Sequence, residues 1–322
     1  MGAILLPLVT IAIPTYNRAD SYLPQALQCA LNQTYQHLEI IISDNGSTDH
    51  TKSLVTGIGD ARIQYFRHEV SIGANNNFNF CFDQANGKYL LLLHDDDLID
   101  LDFVEACMEA SNGSSEVGVI RTGVRLIDAE GKLIHEIPNR AAGLTTRAFF
   151  KAWFSARSAI YLCSTLFNAR KLREIGGFQS KHNCYQDAMA VMQLAARYGR
   201  LDIADVKATF RRHAGEMALK RTIGEWCEDS LILLKLMCDL VPEGKEALSA
   251  EGLRFFSSAN YRRASMASSP FERLRAYVEV WRYFNYRHLP SAPRVLQLLS
   301  GTRLFDALSS IKRNLKYVSS KV

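Results

Sequence analysis

Along the first part of the chain, short unbroken apolar runs alternate with stretches whose apolar residues recur at helical spacing. Residues 8–13 form a β-rich run that ends at Pro14, and the stretch 21–32 carries Leu23, Ala26, Leu27, Ala30 and Leu31 on one helical face. Residues 38–42 read as a second buried strand, closed by the turn formers Asp44, Asn45, Gly46 and Ser47. The pattern continues with a helix over 48–58, a strand over 63–67, a helix over 75–85 and a fourth strand over 89–93. Such alternation predicts a parallel, doubly wound sheet with ligands gathered at the carboxyl ends of its strands. The polar turns 14–18, 44–49 and 94–97 all fall at those ends, so the topology brings them together.

Farther along, the spacing predicts a helix over 102–110, paired strands over 117–128 and 132–137, a helix over 146–154 and a strand over 162–168. A Gly176–Gly177 turn, a helix over 186–198 and a strand over 204–211 complete this region. From Thr222 onward the pattern is helical only, with Trp226, Leu231, Leu234, Leu236 and Met237 in the first helix. The shift near residue 218 divides the chain into an α/β domain, 1–218, and a helical, basic region, 219–322.

A chain of 322 residues can hold one large α/β domain plus additions, and its 48% hydrophobic and 22% charged residues are ordinary for a globular fold. Seven cysteines, odd in number and never spaced as CxxC, indicate neither a disulfide framework nor a zinc site and favour a reducing compartment. Residues 1–7 are apolar but carry no basic leader, and they run into the first strand in a way unlike a signal peptide. No apolar run is long enough to span a membrane, so the expected location is cytoplasmic, with peripheral contact at the inner face of the membrane. The formal charge of +5 is uneven: residues 251–322 hold 13 Lys and Arg against 4 Asp and Glu.

Asp95, Asp96 and Asp97 follow the buried run 89–93 with only His94 between. Three carboxylates this close resist burial, and a divalent cation such as Mg²⁺ or Mn²⁺ is the hard partner that neutralises them. The plain alternative is a solvated acidic loop at a strand end. Neither a GxxxxGK[ST] loop nor a GxGxxG turn follows the first strand, which leaves metal plus carboxylates as the means of holding a phosphate. A nucleotide diphosphate held in that way is the logic of nucleotide-sugar transfer.

The motifs VTIAIPTYNR (9–18), LEIIISDNGSTD (38–49), SIGANNNFN (71–79) and the acidic triplet resemble, in order and spacing, the nucleotide-binding half of a family 2 glycosyltransferase. The resemblance extends to about residue 215. It implies a GT-A type, doubly wound mixed sheet with a helical C-terminal extension, and an inverting, metal-dependent transfer from a nucleotide diphosphate sugar. Carried over by position, Pro14, Thr15, Tyr16 and Asn17 lie at the donor nucleotide, and Asp44 accepts the N3–H of uracil, or equally of thymine. Turn formation is the other use of Asp44. Arg67, Asn77 and Asp95 complete the donor side, with a solvated strand end as the alternative for Arg67.

Many relatives read Asp-x-Asp-Asp at the metal motif, and this chain has His94 in the first position. Either His94 replaces that carboxylate or the working pair shifts to Asp95 and Asp97; Asp96 is the expected direct ligand, with Asp97 and His213 beside it. The family's catalytic base corresponds to Asp187, after the Gly176–Gly177–Phe178 turn, with Gly177, Phe178 and Gln186 on the acceptor side. Gln186 stands where a Glu is commoner, and helix capping is the alternative for Asp187. The acceptor implied is a hydroxyl on a surface glycan or a lipid-linked saccharide.

In the tail, arginines such as Arg262, Arg275 and Arg282 interleave with Tyr261, Phe271, Tyr277, Trp281 and Tyr283. That composition suits an anionic membrane surface, or an ordinary helical subdomain with inward aromatics; nucleic acid is not expected. A nucleotidyltransferase lacks its basic glycine loop here, and a non-catalytic sugar-nucleotide-binding scaffold is the reading if His94 and Gln186 mark a decayed site.

Overall fold

The computed structural model describes residues 6–112, 117–213, 221–285 and 288–289; residues 214–216 of the RRHAGE segment, and Tyr286 and Arg287 in the tail, lie outside them. The strands are β1 (Val9–Thr15), β2 (Leu38–Asp44), β3 (Ile63–Arg67), β4 (Tyr89–Leu92), β5 (Leu98–Ile99), β6 (Val119–Ile127), β7 (Leu133–Ile137), β8 (Thr165–Asn168) and β9 (Arg200–Arg211). The helices are α1 (Leu23–Leu31), α2 (Thr51–Thr56), α3 (Ala74–Gln84), α4 (Phe103–Ser111), α5 (Thr146–Phe154), α6 (Ala169–Glu174), α7 (Gln186–Tyr198), α8 (Ile223–Leu240), α9 (Lys245–Ala264) and α10 (Pro270–Tyr283). Every residue of β1, β2 and β4 is buried, as expected for central strands covered on both faces. α1 carries Pro24 in its first turn, where the missing N–H costs no helical hydrogen bond, and it buries Leu23, Ala26, Leu27 and Ala30. Leu23, Leu27 and Ala30 share one core with Ile11, Ile13, Ile40, Ile42 and Leu91 of the sheet and Phe103 and Val104 of α4.

The sheet runs β3-β2-β1-β4-β8-β6-β9-β5, with β7 paired to β6. Strands β1 to β4 pair parallel, in register Thr15↔Asp44↔Arg67 at their ends. β8 lies antiparallel to both β4 and β6, while β9 is parallel to β6. The simple alternation of strands and helices predicts an all-parallel sheet, and the sheet is mixed. The reason is the antiparallel β6–β7 pair: it turns the chain over, so the following α5 segment delivers β8 from the opposite edge, running downward. Because β6 is reversed twice relative to β4, the carboxyl ends of β1 to β4, β6 and β9 still share one edge. The helix α7 leads back to the start of β9, so its first turn lies at that same edge.

Elements that periodicity did not predict are short. They are the two residues of β5, the single 3₁₀ turn Leu162–Ser164, and α6, a polar six-residue helix held by Asn168 Oδ1 accepting from Lys171 N at 3.1 Å.

At the opposite end of β1, the buried carboxylate of Glu39 accepts from Thr10 Oγ1, from Asn86 N at 2.6 Å, from Gln64 Nε2 at 3.1 Å and from Gly87 N at 3.1 Å. A Cβ on Gly87 would sit 2.5 Å from Thr10 N and 2.6 Å from Thr10 Oγ1. The backbone cannot yield without opening this node. Gly87→Ala is therefore expected to lower stability by about 1–3 kcal/mol, read as a lower denaturant midpoint at unchanged slope.

The chain forms two compact units, 1–219 with 239–242, and 220–238 with 243–322. In the second, Tyr261 of α9 meets Tyr277 of α10 at 5.2 Å, Arg263 lies over the Trp226 ring at 3.7 Å, and Asn260 Nδ2 donates to Ser230 Oγ at 3.0 Å. Ser269 and Glu272 form a reciprocal cap at the start of α10.

Candidate functional site

The carboxyl ends of β1 and β2 are laced together. Asn17, in a left-handed conformation at φ 53°, accepts from Thr48 N through Oδ1 at 2.8 Å, and its own N donates to Ser47 Oγ at 2.9 Å. Tyr16 beside it is 49% exposed, whereas Pro14 and Thr15 are buried. Asp44 is wholly buried, with Oδ1 accepting from Ser47 N at 2.7 Å and Oδ2 from the Tyr65 hydroxyl at 2.6 Å. The turn-forming use of Asp44 is thus realised, although each carboxylate oxygen has a second lone pair. Arg67 Nε lies 3.6 Å from Asp44 Oδ2, and Arg67 Nη2 donates to Ser47 O at 2.9 Å. Asn77 is buried in α3 and grips β2 from both sides: Oδ1 accepts from Ser43 Oγ at 2.6 Å and Nδ2 donates to Ser43 O at 2.9 Å.

The acidic triplet forms the next rim. Asp95 Oδ2 accepts from Thr15 Oγ1 at 2.7 Å, which ties the ends of β1 and β4. Burial, with Asp96 adding to it, pushes the Asp95 carboxyl up to about 7. Burial and Asp96 likewise hold Asp97 well above the usual carboxylate range. Asp97 Oδ1 accepts from Arg211 N at 3.0 Å, and Asp96 Oδ2 lies 2.8 Å from His213 Nε2. His94 stacks on Phe78 with ring centres 4.9 Å apart, and burial lowers its pKa.

One ligand atom from each of His94, Asp96 and Asp97 falls within 4.8 Å of the others, and His94 Nε2 is buried with no hydrogen-bond partner. Crowded carboxylates that resist ionisation, beside an imidazole whose Nδ1 lies 3.9 Å from Asp97 Oδ2, fit a divalent cation. The donor set departs from an all-carboxylate one at His94.

Asp187 occupies the first turn of α7, where its Oδ1 accepts from Ala188 N at 2.7 Å. A helix N-terminus lowers a carboxyl pKa. Burial outweighs this and pushes Asp187 up to about 6. Gln186 Oε1 beside it is buried without a hydrogen-bond partner. The preceding turn needs its glycine: Gly177 has φ 80°, and a Cβ there would lie 3.2 Å from the Phe82 ring. Phe178 is fully buried against Phe167, with ring centres 5.0 Å apart, so it supports the turn from the core and does not face an acceptor.

Other groups at this edge went unnoticed in the sequence. Tyr65 shares a strand face with Arg67 at spacing i, i+2, which is the signal that could have revealed it. The Tyr22 ring lies between the guanidinium groups of Arg18 at 5.5 Å and Arg211 at 4.6 Å, with His213 at 5.1 Å. Cys163, fully buried, donates a hydrogen bond to Asp97.

The profile of the glycosyl transferase family 2 matches residues 10–174. The chain belongs to that family. Among curated family 2 relatives, the GalNAc(5)-diNAcBac-PP-undecaprenol beta-1,3-glucosyltransferase of Campylobacter jejuni is 31% identical over 207 residues, 61% of this chain and 65% of that one. The first matched relatives are covered over 26%, 65% and 31% of their own length. Among solved structures, S. aureus TarS 1–349 superposes with a TM-score of 0.66 at 16% identity, over 96% of this chain and 91% of that one. Its complex with UDP-GlcNAc gives 0.57 at 13% identity, over 86% and 89%. The mannosyltransferase PcManGT of Pyrobaculum calidifontis, solved with GDP-Man and Mn²⁺, gives 0.53 at 18% identity, over 98% and 86%. At such identities the likeness establishes the GT-A fold.

Proposed function

We propose that this family 2 protein transfers a sugar, with inversion, from a nucleoside diphosphate, UDP by preference, to a hydroxyl of a surface glycan or lipid-linked saccharide. What supports it is the Asp44 turn and the His94–Asp96–Asp97 donor set at the ends of neighbouring strands, with a buried Asp187 in the first turn of the helix that leads back to β9. The C. jejuni relative, named for an undecaprenol-linked substrate, supports a lipid-linked acceptor. Peripheral membrane contact and a cytoplasmic place follow from that acceptor; no described helix is long and apolar enough to cross a membrane.

On this reading Thr15, Tyr16 and Asn17 line the nucleoside, Asp44 reads the base N3–H through its free lone pairs, and Arg67 lies against the Asp44 carboxylate. Tyr65 keeps Asp44 in one orientation. His94, Asp96 and Asp97, with His213 beside Asp96, would hold Mn²⁺ or Mg²⁺; when bound, the cation neutralises the carboxylates and balances the charge of the diphosphate. Asp187, ionised above its raised pKa, accepts the proton of the acceptor hydroxyl. The hydroxyl oxygen forms its bond to the anomeric carbon from the face opposite the diphosphate, and the diphosphate leaves with the bonding pair. An α-linked donor then gives a β-linkage. Gln186 offers its free amide oxygen to an acceptor hydroxyl.

A thermal-shift screen of UDP, TDP, GDP, CDP and ADP, each with and without Mn²⁺, tests the donor reading. A ligand present at one hundred times its Kd stabilises by about 2.7 kcal/mol. The expected result is a metal-dependent rise of several degrees with UDP and little with CDP or ADP. A shift with GDP alone would move the donor to the GDP-Man class, and no shift with any would remove the nucleotide site.

A further inference from the structure

The helix α10 presents two different faces. Arg273, Ala276, Tyr277 and Val280 are buried against its own unit, whereas Phe271 is 76% exposed, Leu274 50%, Val278 45% and Trp281 37%. Their spacing of three and four residues sets these four side chains in a single stripe along the solvent side. A groove of about 750 Å³ follows this face, with Arg275 and Arg282 among its lining residues. Both arginines stand within 40° or so of the stripe at 100° per residue. Glu272 accepts from Ser269 N at 3.2 Å in the cap; Glu279 also lines the groove, with its Oε1 beside Gly224 of α8, so two arginines face one carboxylate along it.

An apolar stripe with an arginine flank can be covered by another copy, by further chain or by a lipid surface. Charge decides between them. Residues 251–322 carry 13 Lys and Arg against 4 Asp and Glu, so a second copy seated through this same face, or the chain's own end, would bring like charge against Arg275 and Arg282. A bilayer of anionic phospholipid offers the opposite charge and takes exposed Phe, Leu and Trp side chains into its interface.

We infer that the exposed face of α10 docks on an anionic membrane, with Phe271, Leu274, Val278 and Trp281 entering the headgroup layer and Arg275 and Arg282 on lipid phosphates. The proposal deepens the lipid-linked acceptor reading by naming the surface that meets the membrane, but docking is measured apart from transfer. The full chain is sedimented with vesicles of phosphatidylglycerol and phosphatidylcholine, and with phosphatidylcholine alone, at low and high salt. Binding is expected to the anionic vesicles only, to weaken with salt, and to fall roughly tenfold or more in Arg275→Gln/Arg282→Gln and in Phe271→Ser/Leu274→Ser. UDP-dependent thermal shifts should be unchanged in both variants. Absence of binding to anionic vesicles overturns the proposal, as does binding that neither variant weakens. A dimer that Phe271→Ser/Leu274→Ser dissociates, with no vesicle binding, assigns the face to a second copy instead. Vesicle binding without transfer to a lipid-linked acceptor would leave the docking standing and remove the acceptor reading.

Discussion

Asp187→Asn is expected to lower kcat by about 10²–10⁴-fold while UDP-dependent stabilisation is retained. The substitution keeps the shape of the side chain and an oxygen able to accept from Ala188 N, so the first turn of α7 stays capped. What it removes is the proton acceptor. The pH dependence gives an independent check: with burial pushing Asp187 up to about 6, kcat of the native protein should rise through that pH and level off above it. The sign for stability is the opposite. A carboxyl whose folded pKa is raised favours the protonated folded state, so its contribution is present at low pH and is lost as pH rises from the unfolded value through about 6. At neutral pH Asp187→Asn should therefore melt at or above the native temperature. A variant that is inactive yet at least as stable is the signature of a group kept for chemistry at the expense of the fold. Full activity in the variant would place the base elsewhere. A native protein without turnover on any nucleotide sugar, but with nucleotide binding, would return the scaffold reading suggested by Gln186.

The second large effect concerns the metal. Chelation, or Asp96→Asn, is expected to reduce transfer by about 10³-fold, since a cation at the departing diphosphate is worth several kcal/mol. Mn²⁺ should restore activity better than Mg²⁺. The reason is His94: an imidazole donor suits a borderline cation, whereas Mg²⁺ prefers oxygen alone. Electron paramagnetic resonance titration of Mn²⁺ reads this without turnover, and His94→Asp should shift the preference toward Mg²⁺. Tight Mn²⁺ binding that survives Asp96→Asn and His94→Asp alike would show that the triplet does not hold the ion.

Much of the fold could be read along the chain because its central strands β1, β2 and β4 are wholly buried. Ile11, Ile13, Ile40, Ile42 and Leu91 belong to runs so apolar that only a covered sheet accommodates them, and the polar turns after them mark one edge. The short pieces escaped because α6 and β5 carry too few residues for a period to develop. The donor-site motifs were equally visible, since each sits at a strand end. Tyr65, Cys163 and the Arg18–Tyr22–Arg211 stack were not, because they reach the site from elements separated along the chain and only packing makes them neighbours.

By itself, then, the sequence determined the order of elements, the edge where polar groups collect and the residues there able to carry chemistry, because periodicity and turn formation are local. Only the tertiary structure decided the direction of β8, the burial of Asp44 and Phe178, the raised pKa of Asp187 and the orphaned nitrogen of His94. Each of these depends on what lies across the sheet or beneath a side chain, and desolvation by distant neighbours leaves no trace in the spacing of residues.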